Sequence, residues 1–168
     1  FIFIENKEID AKTKKKSVII NKIIPKFKTI IKTFPAMVRG SLLGFFAGIL
    51  PGAGASLGSF IAYTFEKKVS NKDDTFGKGD ERGVAAPEAG NNAAAGGALV
   101  PMLSLGVPGS GTTAVLLAML MTMNITPGPL LLKNNPDVVW GLIADLFFAN
   151  FILLILNIPM VRMFTRIL

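Results

Sequence analysis

The residues best suited to chemistry in this chain are Glu88, Asn91 and Asn92, set in a run of Ala and Gly, together with two Pro-Gly elements, Pro51-Gly52-Ala53-Gly54 and Pro108-Gly109-Ser110-Gly111. On a helix, Glu88 lies one turn from both asparagines, so a carboxylate and two amide oxygens can face one point. Such a set suits Na⁺ or a titrating proton, and an ionisable residue inside an apolar segment is a functional candidate by default. A plainer reading is a helix start, because Pro87 fits a first turn and a glutamate there complements the helix dipole.

The Pro-Gly elements are a repeat. Leu50 to Ser56 and Val107 to Thr113 both run apolar, Pro, Gly, small, Gly, small, hydroxyl, each between two apolar segments. Where such a break interrupts a helix, the next half-helix presents unpaired N–H groups and the positive end of its dipole, which suits a carboxylate. Carbonyls left free on the preceding half-helix suit a cation. Gly52, Ala53, Gly54, Ser56, Pro108, Gly109, Ser110, Gly111, Thr112 and Thr113 are therefore candidate anion contacts. One break alone reads as a kink for tight packing, but a matched pair is the mark of a transporter binding site. Gly52, Gly54 and Gly58 also resemble a dinucleotide loop, yet Pro51 opens the turn and no βαβ pattern surrounds it. There is no Gly-Lys-Ser/Thr, so a phosphate-binding P-loop is excluded.

Other chemistries start poorly. The chain has neither His nor Cys, which removes the commonest general base, thiol nucleophiles, disulfides and Cys-based metal sites. No nucleophile-plus-base pair stands out, so no catalytic residue is assigned and an enzyme is not expected. No cofactor is expected beyond a coupling ion, Na⁺ or H⁺, and the only metal candidate is Na⁺ near Glu88. The net charge of +7 is concentrated in residues 1–39, where nine Lys and Arg39 face Glu5, Glu8 and Asp10. Nucleic acid is not the partner this implies, because Lys12 to Lys16 leads into membrane-grade sequence without interleaved aromatics.

The elements that must position these groups are apolar helices. Half the residues are apolar and the mean hydropathy is +0.52. They gather in long blocks at 36–50, 83–118 and 138–161, so lipid is the expected solvent. The expected class is all-α integral membrane: polytopic helices with two Pro-Gly-interrupted segments, discontinuous or re-entrant. Residues 1–34 read as a basic cytoplasmic loop by the positive-inside rule, and 18–34 fits either an interfacial helix or a solvated linker. Residues 35–161 read as the transmembrane region and 162–168 as the start of the next loop. Within the region, 35–50 is a helix whose Arg39 snorkels to headgroups, and 56–65 is a shorter one. Neither is expected to cross comfortably, so they form one broken helix or a hairpin with its tip at Pro51 to Gly54. Basic residues in the loop 66–82 favour the hairpin. Small residues at 83–105 point to close helix packing, and helical 112–123 and a final span at 137–156 follow. Asp145, Asn150 and Asn157 on that span read as interhelical glue. The missing initiator Met points to a cut through a longer protein.

With these residues assembled, the chain resembles the TctA-type large permease subunit of tripartite tricarboxylate transporters. The resemblance rests on Gly48 to Gly54, on Phe76-Gly77-Lys78-Gly79-Asp80 leading into Gly83 to Ala93 with its Pro87-Glu88 and Asn91-Asn92, on Leu105 to Ser110, and on Pro127-Gly128-Pro129. It implies a segment of the C-terminal half of a multi-pass permease in the bacterial inner membrane. Such a permease takes up tri- or dicarboxylates on an ion gradient. It implies two protein partners, a small TctB-like membrane subunit and a TctC-like periplasmic solute-binding protein. It also assigns substrate binding to Pro108–Gly111 and the acidic-amide element to Glu88, Asn91 and Asn92. A non-transporting scaffold or assembly subunit, whose small-residue helices only pack against partners, is the alternative.

Overall fold

A computed structural model describes residues 25–70 and 75–167, so the expectations for 1–24 and for 71–74 lie outside the described residues. All regular structure among the described residues is helical: α1 (Phe27–Ile49), α2 (Gly54–Ser70), α3 (Arg82–Gly97), α4 (Leu99–Leu105), α5 (Gly111–Thr122), α6 (Leu131–Asn134) and α7 (Pro136–Ile167).

Small residues decide how α1, α2 and α3 pack. Gly40, Gly44 and Gly48 stand four apart on α1 and meet Ala86, Gly90 and Ala94, also four apart, on α3. A Cβ built on Gly44 would lie 2.5 Å from Gly90 Cα, and one on Gly48 would lie 2.7 Å from Ala94 Cα. Matching order along both helices makes them parallel. From the other side, Gly58 of α2 comes against Ala94 Cβ and Gly90, and Ala62 Cβ comes against Gly90. Without side chains between them the backbones approach closely enough for dispersion to hold them, the usual device where lipid removes any hydrophobic drive between helices.

The α1–α2 pair is an antiparallel hairpin, closed at one end by the turn at Pro51, Gly52 and Ala53. Gly52 and Gly54 adopt φ of 77° and 66° there, a conformation that a side chain disfavours. At the other end Arg39 bonds Glu66 through Nε to Oε2 and Nη2 to Oε1, both 2.8 Å. This corrects the expectation that Arg39 reaches for headgroups. A bidentate, charge-assisted partner across the hairpin outcompetes them.

Several bounds differ from the sequence reading. Helix α1 begins at Phe27, so it includes Pro35, and at about 1.5 Å per residue its 23 residues reach about 35 Å. It is therefore long and apolar enough to cross a membrane alone, as is Pro136–Val161 of α7, with mean hydropathy 2.3. Helix α2 continues to Ser70, past the expected end at Phe65, because Glu66 is buried by its Arg39 contact. Helix α7 runs through Asn157 and Pro159 to Ile167, beyond the expected end at Leu156 and across the tail expected to be loop. Proline removes one helical hydrogen bond, and the apolar run on both sides carries the helix through it.

Residues 75–81 fasten the start of α3. Asp80 accepts from the Arg82 backbone N–H and Nε at 3.0 Å each, from Arg82 Nη2 at 2.6 Å, and from the Thr75 hydroxyl. The Arg82 guanidinium also lies over the Phe76 ring, which packs edge-on against Tyr63 of α2.

Candidate functional site

The second Pro-Gly element is built as a capped helix start. Gly106 ends α4 in the left-handed region (φ 71°), and Gly128 of the Pro127 to Pro129 turn donates its N–H to the Leu103 carbonyl at 3.0 Å. The chain then extends through Ser110 into α5. Ser110 and Thr113 form a reciprocal capping box, with the Ser110 N–H donating to Thr113 Oγ1 at 2.8 Å and the Thr113 N–H to Ser110 Oγ at 3.3 Å. Gly111 and Thr112 keep their N–H groups without a partner among the described residues.

This start opens on a cavity of about 540 Å³, within the roughly 300–1,000 Å³ usual for ligand pockets. Its polar lining is Asn92 from α3, Ser110, Thr112 and Thr113 from α5, and Asn150 from α7. Leu99, Leu116, Leu146 and Leu153 supply apolar wall, and Ala55 brings in the first turn of α2. The two Pro-Gly breaks are also close to each other. Gly109 is buried so tightly that an added Cβ would lie 3.1 Å from Ala98 Cα and 3.2 Å from the Gly48 carbonyl oxygen.

The cavity gathers some of the sequence candidates and leaves out others. Ser110, Thr112 and Thr113 line it, and Pro108, Gly109 and Gly111 belong to the strand of chain that shapes it. Gly52, Ala53, Gly54 and Ser56 do not line it; they sit in the hairpin turn and the start of α2, next to the lining residue Ala55. Asn92 lines the cavity, Asn91 is half-buried, and Glu88 is exposed one turn before Asn92 on the same helix. No hydrogen bond joins Glu88, Asn91 and Asn92 among the described residues, and no group of three or more His, Cys, Asp or Glu there could hold a metal.

Asn150 is the site residue that sequence reasoning took for glue. Its Nδ2 donates to the Leu146 carbonyl of its own helix at 2.8 Å, and none of Asp145, Asn150 and Asn157 bonds another helix among the described residues. Register held the missed signal: Leu142, Leu146, Ala149, Asn150 and Leu153 recur at three- and four-residue spacing along one face, and Asn150 falls among them.

The tripartite tricarboxylate transporter TctA family model matches residues 2–168 of the chain. The chain belongs to that TctA family. It is thus part of a family of transporters rather than of enzymes, and its family and apolar spans together make it a membrane protein. An uncharacterized 52.8 kDa protein in the TAR-I ttuC′ 3′ region of Agrobacterium vitis is 39% identical over 132 residues, covering 79% of this chain and 26% of that protein. An uncharacterized protein in the TAR-II ttuC′ 3′ region of the same organism is 40% identical over 129 residues, covering 77% of this chain and 52% of that protein. The TctA chain thus spans about a quarter and about half of these two curated relatives. No solved structure matches it.

Proposed function

We propose that this chain is part of the permease subunit of an ion-gradient-driven tripartite transporter for tri- or dicarboxylates in the bacterial inner membrane. The whole permease receives its cargo from a TctC-like periplasmic binding protein and works beside a small TctB-like membrane subunit. Both Pro-Gly breaks lie at membrane depth in this reading, and residues 1–34 lie on the cytoplasmic side.

One observation carries the reading: the start of α5, with two N–H groups unpartnered, opens on a ligand-sized cavity beside the other break. Amides at a helix start suit a carboxylate, and Leu99, Leu116, Leu146 and Leu153 give the cavity an apolar wall beside them. Glu88, one turn from Asn92, is the group that answers to the coupling cation, Na⁺ or H⁺.

Uptake of labelled citrate by the full-length protein with its partner subunits in proteoliposomes tests this. Gly109→Val, which drives side-chain atoms into Ala98 and the Gly48 carbonyl, is expected to abolish uptake. Glu88→Gln is expected to uncouple uptake from the ion gradient. Normal uptake in both variants would instead make the chain a packing scaffold.

A further inference from the structure

The outer side of α1 is one continuous apolar row. Phe27, Ile31, Phe34, Val38, Leu42 and Phe45 follow one another at three- and four-residue spacing and are all exposed, while Ala36 and Gly40 are buried on the opposite side. Ser70, the last residue of α2, accepts from Arg39 Nη2 at 3.3 Å, so residues 27–38 of α1 run on for about 18 Å past the end of α2. The row therefore reaches well beyond the hairpin it belongs to, and it ends at lysines: Lys26 at the helix cap and Lys28 in the first turn.

Charge at this end of the three helices does not cancel. Among the described residues Glu66 is held by Arg39, Asp80 by Arg82 and Glu81 by Lys32, so the acids here are already answered. Lys26 and Lys28 are exposed, have no acidic partner among the described residues, and find no acid in the first turn of α1. A lysine at the edge of an apolar row lays its stem along that row and carries its ammonium to the nearest polar layer. Water alone would satisfy the lysines and leave Phe27, Ile31 and Phe34 exposed to it. An apolar protein face would cover the row and leave the lysines without counter-charge. An acidic headgroup above acyl chains answers both.

We propose that the start of α1, from Lys26 to Phe34, docks on acidic phospholipid, with Phe27, Ile31 and Phe34 among the acyl chains and Lys26 and Lys28 on the headgroup phosphates. The headgroup contact that the sequence suggested for Arg39 falls to these two lysines, because Glu66 occupies Arg39. Free phosphate would meet the lysines but not the apolar row, so the ligand is a lipid. The inference rests on the membrane character of the chain and not on the carboxylate reading of the cavity, so either can fail without the other.

Spin-labelled lipids test it on the full-length protein in phosphatidylcholine vesicles. At low salt, labelled phosphatidylglycerol is expected to associate with the protein roughly fivefold more strongly than labelled phosphatidylcholine, the worth of one lysine near an acidic surface, and the preference should shrink as salt rises. Lys26→Gln combined with Lys28→Gln should cut that preference by half or more, whereas Lys133→Gln, on α6, should leave it unchanged. Inorganic phosphate at constant ionic strength should not compete. No preference in the parent protein, a preference that the double variant keeps, an equal loss in Lys133→Gln, or competition by phosphate overturns the proposal. A nitroxide on Ile31→Cys, in full-length protein carrying no other cysteine, reads the surroundings of the row directly. In vesicles containing phosphatidylglycerol it should be more accessible to oxygen than to a water-soluble nickel chelate. The reverse order places the start of α1 in water, and low access to both places it against protein; either result overturns the proposal.

Discussion

Arg39 of α1 and Glu66 of α2 hold each other by two parallel bonds of 2.8 Å, and the Glu66 side chain is only 1% exposed. Ser70 completes the group: its hydroxyl donates to Glu66 Oε1 and accepts from Arg39 Nη2 at 3.3 Å. The hairpin is therefore pinned at its open end by charge and at its closed end by a glycine turn. Loss of one partner leaves the other charge without compensation, whereas loss of both does not.

Glu66→Gln is accordingly expected to destabilise the helical core by about 3 kcal/mol, the low end for broken buried pairs because Arg39 remains 35% exposed. Arg39→Met combined with Glu66→Leu should recover most of that loss. Thermal unfolding in detergent measures both, and an unchanged melting temperature in Glu66→Gln would contradict the clamp.

Glycine substitutions should divide by position. Gly44→Ala puts a methyl 2.5 Å from Gly90 Cα, so the helices must separate, at a cost of about 1–3 kcal/mol. Gly141→Ala meets nothing within 4 Å and should stabilise α7 by about 0.5–1 kcal/mol through helix propensity. Melting temperatures that move the same way in both variants would refute the close-packed seam.

Asp80 makes the start of α3 sensitive to acid. The Arg82 guanidinium, followed by the Thr75 hydroxyl and the Arg82 backbone N–H, holds its carboxyl well below the usual carboxylate range, against the opposing effect of burial. A group depressed on folding contributes stability that is complete above its unfolded value and is lost as pH falls toward its folded one. Asp80→Asn should therefore melt lower than the parent at pH 7, and the gap should narrow as pH falls below about 4. A gap constant across that range would rule this out.

The start of α5 separates stability from transport. Ser110→Ala loses the capping box and should cost about 1 kcal/mol of stability together with uptake. Thr112 is exposed to the cavity, so Thr112→Val should leave stability within about 0.5 kcal/mol. Uptake of citrate in that variant should fall about fivefold, the worth of one hydrogen bond. Full uptake by Thr112→Val would remove the Thr112 hydroxyl from the cargo contacts and leave only the backbone N–H groups of this helix start to hold it.

Much of the architecture was legible in the residues. Breaks at Pro51 and Pro108, the close packing of the small-residue helix and the apolar last span all followed from composition and punctuation. The partner of that small-residue helix did not, although its signal was present: Gly40, Gly44 and Gly48 repeat at four-residue spacing within what looked like an ordinary apolar span. The start of α1 was misplaced because Pro35 reads as a boundary, yet flanking helix-compatible residues carry the helix across it.

The sequence by itself determined that helices form, where they break and which family the pattern resembles, because propensity, Gly-Pro punctuation and hydropathy act over a few neighbouring residues. Only the tertiary structure decided that Arg39 meets Glu66, that Gly48 lies beside Gly109, and that Asn92, Thr112 and Asn150 share one cavity while Glu88 lies outside its lining. Those relationships join residues far apart in the chain. They depend on how closely glycine-faced helices can approach, a distance that no local pattern encodes.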